Sequence, residues 1–146
     1  MVLFKGRILL LFLLVLPVYH IQAQNTDPVN LIGLTLSELI NRFGIPNNVY
    51  AVRGLEEWQD DVVFVYNEGD FYIHRNRVWQ MGVRAVRGIN IGDPRGIVSL
   101  ILGERVESRG NSKFYSLVNW PWPMIIRFDF DGADRVRAIF IYRSDL

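Results

Sequence analysis

The strongest candidate for acid–base chemistry in this chain is a group of carboxylates around one tryptophan. Glu56, Glu57, Asp60 and Asp61 flank Trp58. A pair of carboxylates can hydrolyse a glycosidic bond when the two groups face each other across a cleft. Neighbouring positions on one segment seldom provide that opposed geometry. The pattern therefore favours a solvated loop that repels or attracts charged partners.

Metal binding and nucleophilic catalysis have still weaker candidates. Asp129, Asp131 and Asp134 surround Gly132, but a calcium loop needs more oxygen ligands and a distal glutamate, so a hairpin turn is favoured. His74 is the only histidine after the first 23 residues, and the chain has no cysteine. Since the sequence shows no partner base or nucleophile, we predict no catalytic residue, no metal site, no cofactor and no enzyme activity.

Binding has a better candidate in the segment Trp120-Pro121-Trp122-Pro123. The prolines stiffen the backbone and remove donors, and rigid tryptophans are typical of binding hot spots. The alternative is a loop whose rings fold back over the core, because tryptophan is usually well buried.

Strand alternation indicates a second binding surface. In 124–130 the even positions are all apolar, so the odd positions point away from the core. The same reasoning directs Trp79, Ala138, Phe140 and Tyr142 inward. The predicted outward set is Tyr72, His74, Gln80, Arg127, Arg137 and Arg143, with Ile125, Ile139 and Ile141 between them. Such a mixture of arginine and aromatic residues is typical of a protein-binding surface, and an ordinary solvated sheet face is the alternative.

Two helices and six strands are predicted to position these side chains. Thr35 and Glu38 form a capping-box pattern at the start of a helix that ends before Gly44. A second helix is predicted to begin with Asp93 as its cap and Pro94 in its first position. The predicted strands are 62–66, 71–74, 78–83, 113–118, 124–130 and 136–142.

The two halves of the chain can be aligned on their glycines. Gly33 and Gly44 are 11 residues apart, as are Gly92 and Gly103. This spacing predicts an α+β fold of two tandem αβββ repeats, which form an antiparallel sheet with the helices packed on one face. The repeats would span 31–88 and 89–146 of a single domain, 31–146, preceded by a linker at 24–30.

The first 23 residues have the three parts of a secretory signal peptide. Lys5 and Arg7 precede an apolar run from Ile8 to Tyr19, and Ala23 offers a cleavage site. The run is shorter than the ~20 residues that a membrane-spanning helix needs, although an uncleaved anchor is the alternative. We therefore expect a periplasmic or secreted protein with no stable membrane anchor after cleavage.

Charge argues against nucleic acid as a partner. The chain has 16 basic side chains, of which Lys5 and Arg7 belong to the leader, so 14 remain against 15 acidic ones. A nucleic-acid-binding protein would carry a basic excess.

One family resemblance follows from the first helix. Gly33-Leu34-Thr35, the helix, and Phe43-Gly44-Ile45-Pro46 resemble the Gly-Met-Thr and Leu-Gly-x-Pro signature of the BamE/SmpA outer-membrane assembly lipoproteins. The β-lactamase inhibitor protein carries a similar signature in two tandem repeats. The resemblance implies an exported module that works by binding, although the lipid-bearing cysteine and the inhibitor's disulfides are missing here. No binding residue is carried over from either.

Together these features predict an exported, non-enzymatic module that recognises a protein partner in the periplasm or cell envelope. A small-ligand or lipid-binding protein, with an aromatic pocket between sheet and helices, is the alternative. A hydrolase is the third possibility.

Overall fold

The structure is a computed structural model that describes residues 27–54, 60–103 and 106–146. The predicted signal peptide with its cut after Ala23 lies outside the described residues, as do Glu56, Glu57 and Trp58 of the acidic group. The described chain begins at Asp27, whose side chain caps a short 3-10 turn, Pro28–Leu31.

Two eight-residue helices and ten strands make up the described part of the chain after that turn. The helices are α1 (Leu36–Phe43) and α2 (Arg95–Leu102). The strands are β1 (Asn48–Val52), β2 (Asp61–Tyr66), β3 (Gly69–His74), β4 (Arg77–Val83), β5 (Ala85–Val86), β6 (Ile89–Asn90), β7 (Val106–Arg109), β8 (Ser112–Leu117), β9 (Met124–Phe130) and β10 (Val136–Arg143).

Eight of the strands form one antiparallel sheet in the order β1-β2-β3-β4-β10-β9-β8-β7. β5 and β6 pair as a separate small ribbon between β4 and α2. The predicted fold class is therefore wrong: the protein is mostly sheet, and it is not a balanced α+β protein of tandem αβββ repeats. The difference arises because β1 and β7, which the sequence pattern did not predict, extend the sheet at its two edges.

Local capping signals place α1 as predicted. The Thr35 hydroxyl accepts the Glu38 N–H at 3.2 Å, and the Glu38 carboxylate accepts the Thr35 N–H at 2.8 Å. Gly44, with φ +79°, ends the helix, and its N–H donates to the Ile40 carbonyl. The predicted start and end of this helix are confirmed, since the capping box satisfies backbone donors that no turn of the helix can reach.

The start of α2 differs from the prediction. Pro94 is itself the N-cap residue and forms no side-chain cap, while the Asp93 carboxylate accepts the Asn90 N–H at 2.7 Å in the preceding turn. Lys113 of β8 holds the helix instead, because its Nζ donates to the Ser99 hydroxyl at 2.6 Å and to the Arg95 carbonyl at 3.2 Å. Burial lowers the pKa of this lysine, and repulsion from Arg95 lowers it further.

The core lies between the sheet and the two helices. Leu39 of α1 and Val98 of α2 are fully buried, and both belong to one cluster with residues of the strands. The strand contribution includes Phe71, Met81, Met124, Ile126, Phe128, Phe130, Ile139 and Ile141. The predicted inward set of β9 is thereby confirmed.

A β-bulge in β10 reverses the predicted orientation of its side chains. Val136 pairs with Phe130, but Ala138 pairs with Asp129, so Arg137 is an extra residue in the strand. A bulge of one residue shifts the alternation by one position. Ile139 and Ile141 consequently enter the core and Arg143 shares their side of the sheet, whereas Ala138, Phe140 and Tyr142 point away from the core.

A second bulge lies in β4. Tyr72 pairs with Gln80 and Ile73 pairs with Val78, which makes Trp79 the extra residue. The Trp79 indole N–H donates to the Asp61 carboxylate at 3.1 Å on the side of the sheet away from the helices. Trp79 was predicted to face the core, and that orientation is also wrong.

Candidate binding face of the sheet

The face of the sheet that no described helix covers, called the open face below, carries two rows of side chains across its strands. Directly paired residues of antiparallel neighbours point to the same side, so the register defines each row. The tyrosine row is Tyr50, Val63, Tyr72, Gln80, Tyr142, Ile125 and Ser116. The arginine row is Asn48, Val65, Asp70, Gly82, Phe140, Arg127, Phe114 and Glu107.

The tyrosine row places three tyrosines on one side of the sheet. Val63 points to this face and yet is fully buried, because the larger neighbouring side chains cover it. Tyr50 lies close enough to Tyr72 to add to the effect of burial, which raises the pKa of Tyr72. Burial is the main cause that raises the pKa of Tyr72 and Tyr142. Both hydroxyls therefore remain protonated at neutral pH and can donate a hydrogen bond to a ligand.

Arg127 is the best-positioned charge on the open face. Its guanidinium lies 4.8 Å from the centre of the Phe140 ring, and its Nη2 donates to Asp129 at 2.7 Å. Asp129 also accepts the Ser112 hydroxyl at 2.6 Å, which holds the carboxylate in place. The Arg127 Nε is buried and has no hydrogen-bond partner within the described ranges. The guanidinium is thus fixed by a ring and a carboxylate and keeps one unused donor.

Asp61, like Asp60 before it, is a described member of the predicted acidic group. Burial raises the pKa of its carboxyl group, while the hydrogen bond from Trp79 and the nearby His74 act in the opposite direction. His74 itself is half-buried at the end of β3. Among the described residues, Asp61 is paired with its tryptophan donor and has Asp60 beside it in the chain, and these two carboxylates do not form the opposed pair that glycoside hydrolysis requires.

The carboxylates near Gly132 have separate structural roles. Asp131 accepts the N–H groups of Ala133 and Arg135, both at 2.9 Å, and these bonds together with the charge of Arg135 lower its pKa. Asp134 forms an ion pair with Arg95 at 2.9 Å. Asp129 belongs to the open face. In the part of the chain that the structure describes, no three histidine or carboxylate side chains are grouped as a metal site.

The predicted binding residues separate into three groups. Tyr72, Gln80 and Arg127 lie together on the open face, with His74 at its end. Arg137 is exposed at the β10 bulge and lies at one end of the strands. The third group, which contains Trp120, Trp122 and Arg143, lies on the helix side of the sheet and is described next.

The tryptophan segment folds back onto the core. Trp120 and Trp122 are half-buried against the core cluster, and the Trp122 ring lies directly over Gly33. The Arg143 guanidinium stacks on Trp122 at 4.7 Å from the ring centre and pairs with Asp145 at 2.8 Å. These contacts hold the Trp122 ring in place and separate it from the open face.

The alternation argument missed the aromatic residues that dominate the open face. Phe140 and Tyr142 were assigned to the core, and Tyr50 was in no predicted strand. The only sequence signal for β1 was the uncharged, β-branched run Asn48–Val52, which lies between polar segments. The orientation of Phe114 could have been predicted from alternation, because its two neighbours, Lys113 and Tyr115, point to the helix side of the sheet.

A groove of about 600 Å³ adjoins the arginine row at one end of the central strands. No residue of α1 or α2 lines it, so it is not the pocket between sheet and helices that a ligand-binding module was expected to have. Arg84 and Arg137 line the groove together with Phe140 and Asp70. Neither guanidinium forms a hydrogen bond or ion pair with any residue that the structure describes.

Comparison with known proteins gives a fold but no family. Neither a known protein family nor a curated protein matches the sequence. An extracellular protein containing an SCP domain from Bacillus anthracis has a TM-score of 0.55 and 14% identity, over 99% of this chain and 51% of that one. A cysteine-rich secretory protein from Staphylococcus aureus has a TM-score of 0.52 and 11% identity, over 83% of this chain and 47% of that one. A DUF4309 family protein from Bacillus subtilis has a TM-score of 0.46 and 15% identity, over 75% of this chain and 78% of that one.

These likenesses correct the family resemblance. The structures with a TM-score above 0.5 are an extracellular protein containing an SCP domain and a cysteine-rich secretory protein, and no family model or curated protein supports the predicted relation to BamE/SmpA lipoproteins and to the β-lactamase inhibitor protein, which is therefore wrong. This chain spans about half the length of the first two structures. Among the described residues, no helix has the length and apolar character needed to cross a membrane. The chain shares its fold with about half of one extracellular and one secretory protein.

Proposed function

We propose that this protein is an exported, non-enzymatic binding module that holds a protein partner on its open face. The observation that carries the proposal is the tyrosine row beside the fixed guanidinium of Arg127. Tyrosine and arginine are among the residues enriched in interface hot spots. Tyrosine also offers a large contact area and a hydrogen-bonding hydroxyl at a small cost in conformational entropy. Tyr50, Tyr72 and Tyr142 supply both features on one continuous surface.

The charges of the open face favour a folded protein over a polyanion as the partner. Arg127 lies beside Asp129, and Arg109 lies beside Glu107, so both of these arginines already have a negative neighbour at 2.7 to 2.8 Å. A surface that binds nucleic acid would instead present unpaired positive groups along a strip. The paired charges can orient a partner with a mixed polar and aromatic surface.

Export belongs to the same proposal. The leader would be cleaved after Ala23 and release the module into the periplasm or the medium, where the open face would meet its partner. The extracellular and secretory proteins of similar fold support this location.

The test is site-specific photo-crosslinking in the cells that produce the protein. A photoreactive amino acid replaces Gln80, at the centre of the open face, or Leu100, which is 78% exposed on α2. We expect a discrete adduct with a second protein from position 80 only. Tyr142→Ser should remove that adduct, whereas the matched change Leu100→Ser should leave it, and both variants should keep the circular dichroism of the native fold.

Two outcomes would refute the proposal. One is the same adduct from positions 80 and 100, which would show non-specific contact. The other is an unchanged adduct in the folded Tyr142→Ser variant, which would remove the tyrosine row from the interface.

The groove favours a second candidate function, the binding of a small ligand that carries a carboxylate. Arg84 and Arg137 have guanidiniums available for a two-pronged bond, and Phe140 offers an apolar surface beside them. Native mass spectrometry of protein recovered from its own cells should then show a bound small molecule that Arg137→Ala releases. Recovery of unliganded protein in repeated preparations would rule this candidate out.

A further inference from the structure

The two edges of the sheet differ in how they are protected against pairing with another strand. β7 carries the ion pair between Glu107 and Arg109 at 2.8 Å, and Arg109 also covers Phe114 at 5.5 Å from its ring centre. β1 carries no charge, and all five of its residues are exposed. Its larger side chains, Val49, Tyr50 and Val52, are 47%, 40% and 38% exposed. An exposed, uncharged edge strand offers unpaired backbone groups to a further strand.

We infer that β1 pairs with β1 of a second copy of this chain and forms a two-fold dimer. In an antiparallel arrangement centred on Tyr50, that residue lies opposite its own copy. Val49 then faces Ala51 of the second copy, and Asn48 faces Val52. The eight-stranded sheets of the two molecules join into one continuous sheet, and the inference does not depend on the proposed function of the open face.

The residues at and beside β1 favour a second copy over an unrelated peptide. Across the five pairs no charged residue faces another, and at the next position Asn47 faces Arg53 of the copy, so no like-charge pair opposes the two-fold arrangement. Apolar side chains of β1 lie on both faces of the sheet, Val49 and Ala51 on one face and Tyr50 and Val52 on the other. Val62 of β2, which is 43% exposed, lies next to Ala51. A second copy related by a two-fold axis would place the same apolar residues beside them on both faces.

The protected edge explains why this assembly would close. A two-fold interface uses the same surface twice and ends at two subunits, whereas pairing of β1 with β7 would continue into a fibre. The charges of β7 oppose that head-to-tail pairing. On β1 the Val49 N–H donates to the Asn48 side chain at 2.9 Å, a local bond that strand pairing can replace.

The first test is sedimentation velocity on the exported protein over a range of micromolar concentrations, where we expect a monomer–dimer equilibrium. The double variant Val49→Lys with Ala51→Lys places like charges opposite each other in both symmetric pairs. It should weaken the dimer by about tenfold or more. Both residues are exposed and lie on the helix side of the sheet, so the monomer should fold and the open face should be unchanged.

A charge-complementary variant provides the decisive control. Val49→Lys combined with Ala51→Glu places opposite charges in each symmetric pair and should restore the dimer. Ser108→Lys, on the exposed edge β7, should have no effect. A monomer at every concentration overturns the inference, as does a dimer that resists the two lysines. If the two-lysine variant loses the dimer but keeps the partner adduct from position 80, dimer formation and the proposed function of the open face are independent.

A cysteine reporter tests the register itself. The chain contains no cysteine, so a single new thiol can only pair between molecules. Tyr50→Cys should form a disulfide-linked dimer under mild oxidation, since the residue would lie opposite its own copy within disulfide distance. Ser108→Cys should not. Equal crosslinking of the two variants would show random collision and would overturn the two-fold register.

Discussion

Replacing Gly33 by alanine tests whether Trp122 is a structural anchor of the core. Gly33 has φ +91°, and a Cβ at this position would overlap Cζ2 of the Trp122 ring and lie 2.9 Å from its Cη2. The Gly33 carbonyl accepts a hydrogen bond from Arg77 at 2.8 Å, which restrains the backbone from moving away. The ring must therefore give way, together with its stacking on Arg143.

Two costs add in this variant. A side chain in the left-handed region costs about 1–2 kcal/mol. Lifting the Trp122 ring would expose roughly 60–100 Å² of apolar surface, which at about 25 cal/mol per Å² corresponds to about 2 kcal/mol. We expect Gly33→Ala to lower the free energy of unfolding by about 3–4 kcal/mol.

Gly92 is a matched control for the backbone cost alone. Its φ is +94°, its carbonyl accepts a bond from Arg135 at 2.9 Å, and a Cβ there would meet no atom within 4 Å. Gly92→Ala should therefore cost only about 1–2 kcal/mol in urea unfolding followed by circular dichroism. Equal losses in the two variants would refute the reasoning, because they would show that the Trp122 ring contributes nothing to the packing at Gly33.

Two further predictions concern caps and buried charge. Thr35→Ala removes the acceptor for the Glu38 N–H and should lower the free energy of unfolding by about 1 kcal/mol. Thr35→Ser keeps a hydroxyl acceptor and should therefore retain most of the stability of the native protein. Urea unfolding measures both variants. Asp61→Asn removes a carboxylate whose pKa is raised by burial, but it keeps an oxygen for the Trp79 indole. Because ionisation is disfavoured in the folded protein, the native chain should lose stability as the pH rises from the ordinary value of 3.8 through the raised pKa, and the Asp61→Asn variant should lack that loss. A pH series of unfolding curves measures the difference, and parallel curves for the two proteins would contradict it.

The elements that could be predicted are those whose causes are local. The capping box of Thr35 and Glu38 and the glycine that ends α1 act within a few residues, so their pattern predicts a helix wherever it occurs. The apolar alternation of β9 is equally local, and its inward set is buried as predicted. The same locality explains the wrong family assignment, since the entry and exit signals of one helix do not specify the sheet on which that helix packs.

Side-chain orientation could not be predicted across the two bulges. Arg137 and Trp79 each add one residue to a strand. After Arg137 the run from Ala138 to Tyr142 is entirely apolar, so its sequence fits either orientation. Every residue after a bulge changes face, which brings Ile139 into the core and Phe140 to the open face. Only the pairing partner of a strand reveals such a shift.

Because the candidate binding face depends on these shifts, it is a property of the assembled sheet. Without the β10 bulge, the register set by Val136 and Phe130 would place Tyr142 opposite Met124 on the core side, and Ile141 would lie between Gln80 and Ile125. With the bulge, Tyr142 continues the row toward Ile125, and Phe140 supplies the ring on which Arg127 rests. One inserted residue thus creates the arrangement that distinguishes the open face from an ordinary solvated sheet, which is why Tyr142→Ser is the most direct test of its function.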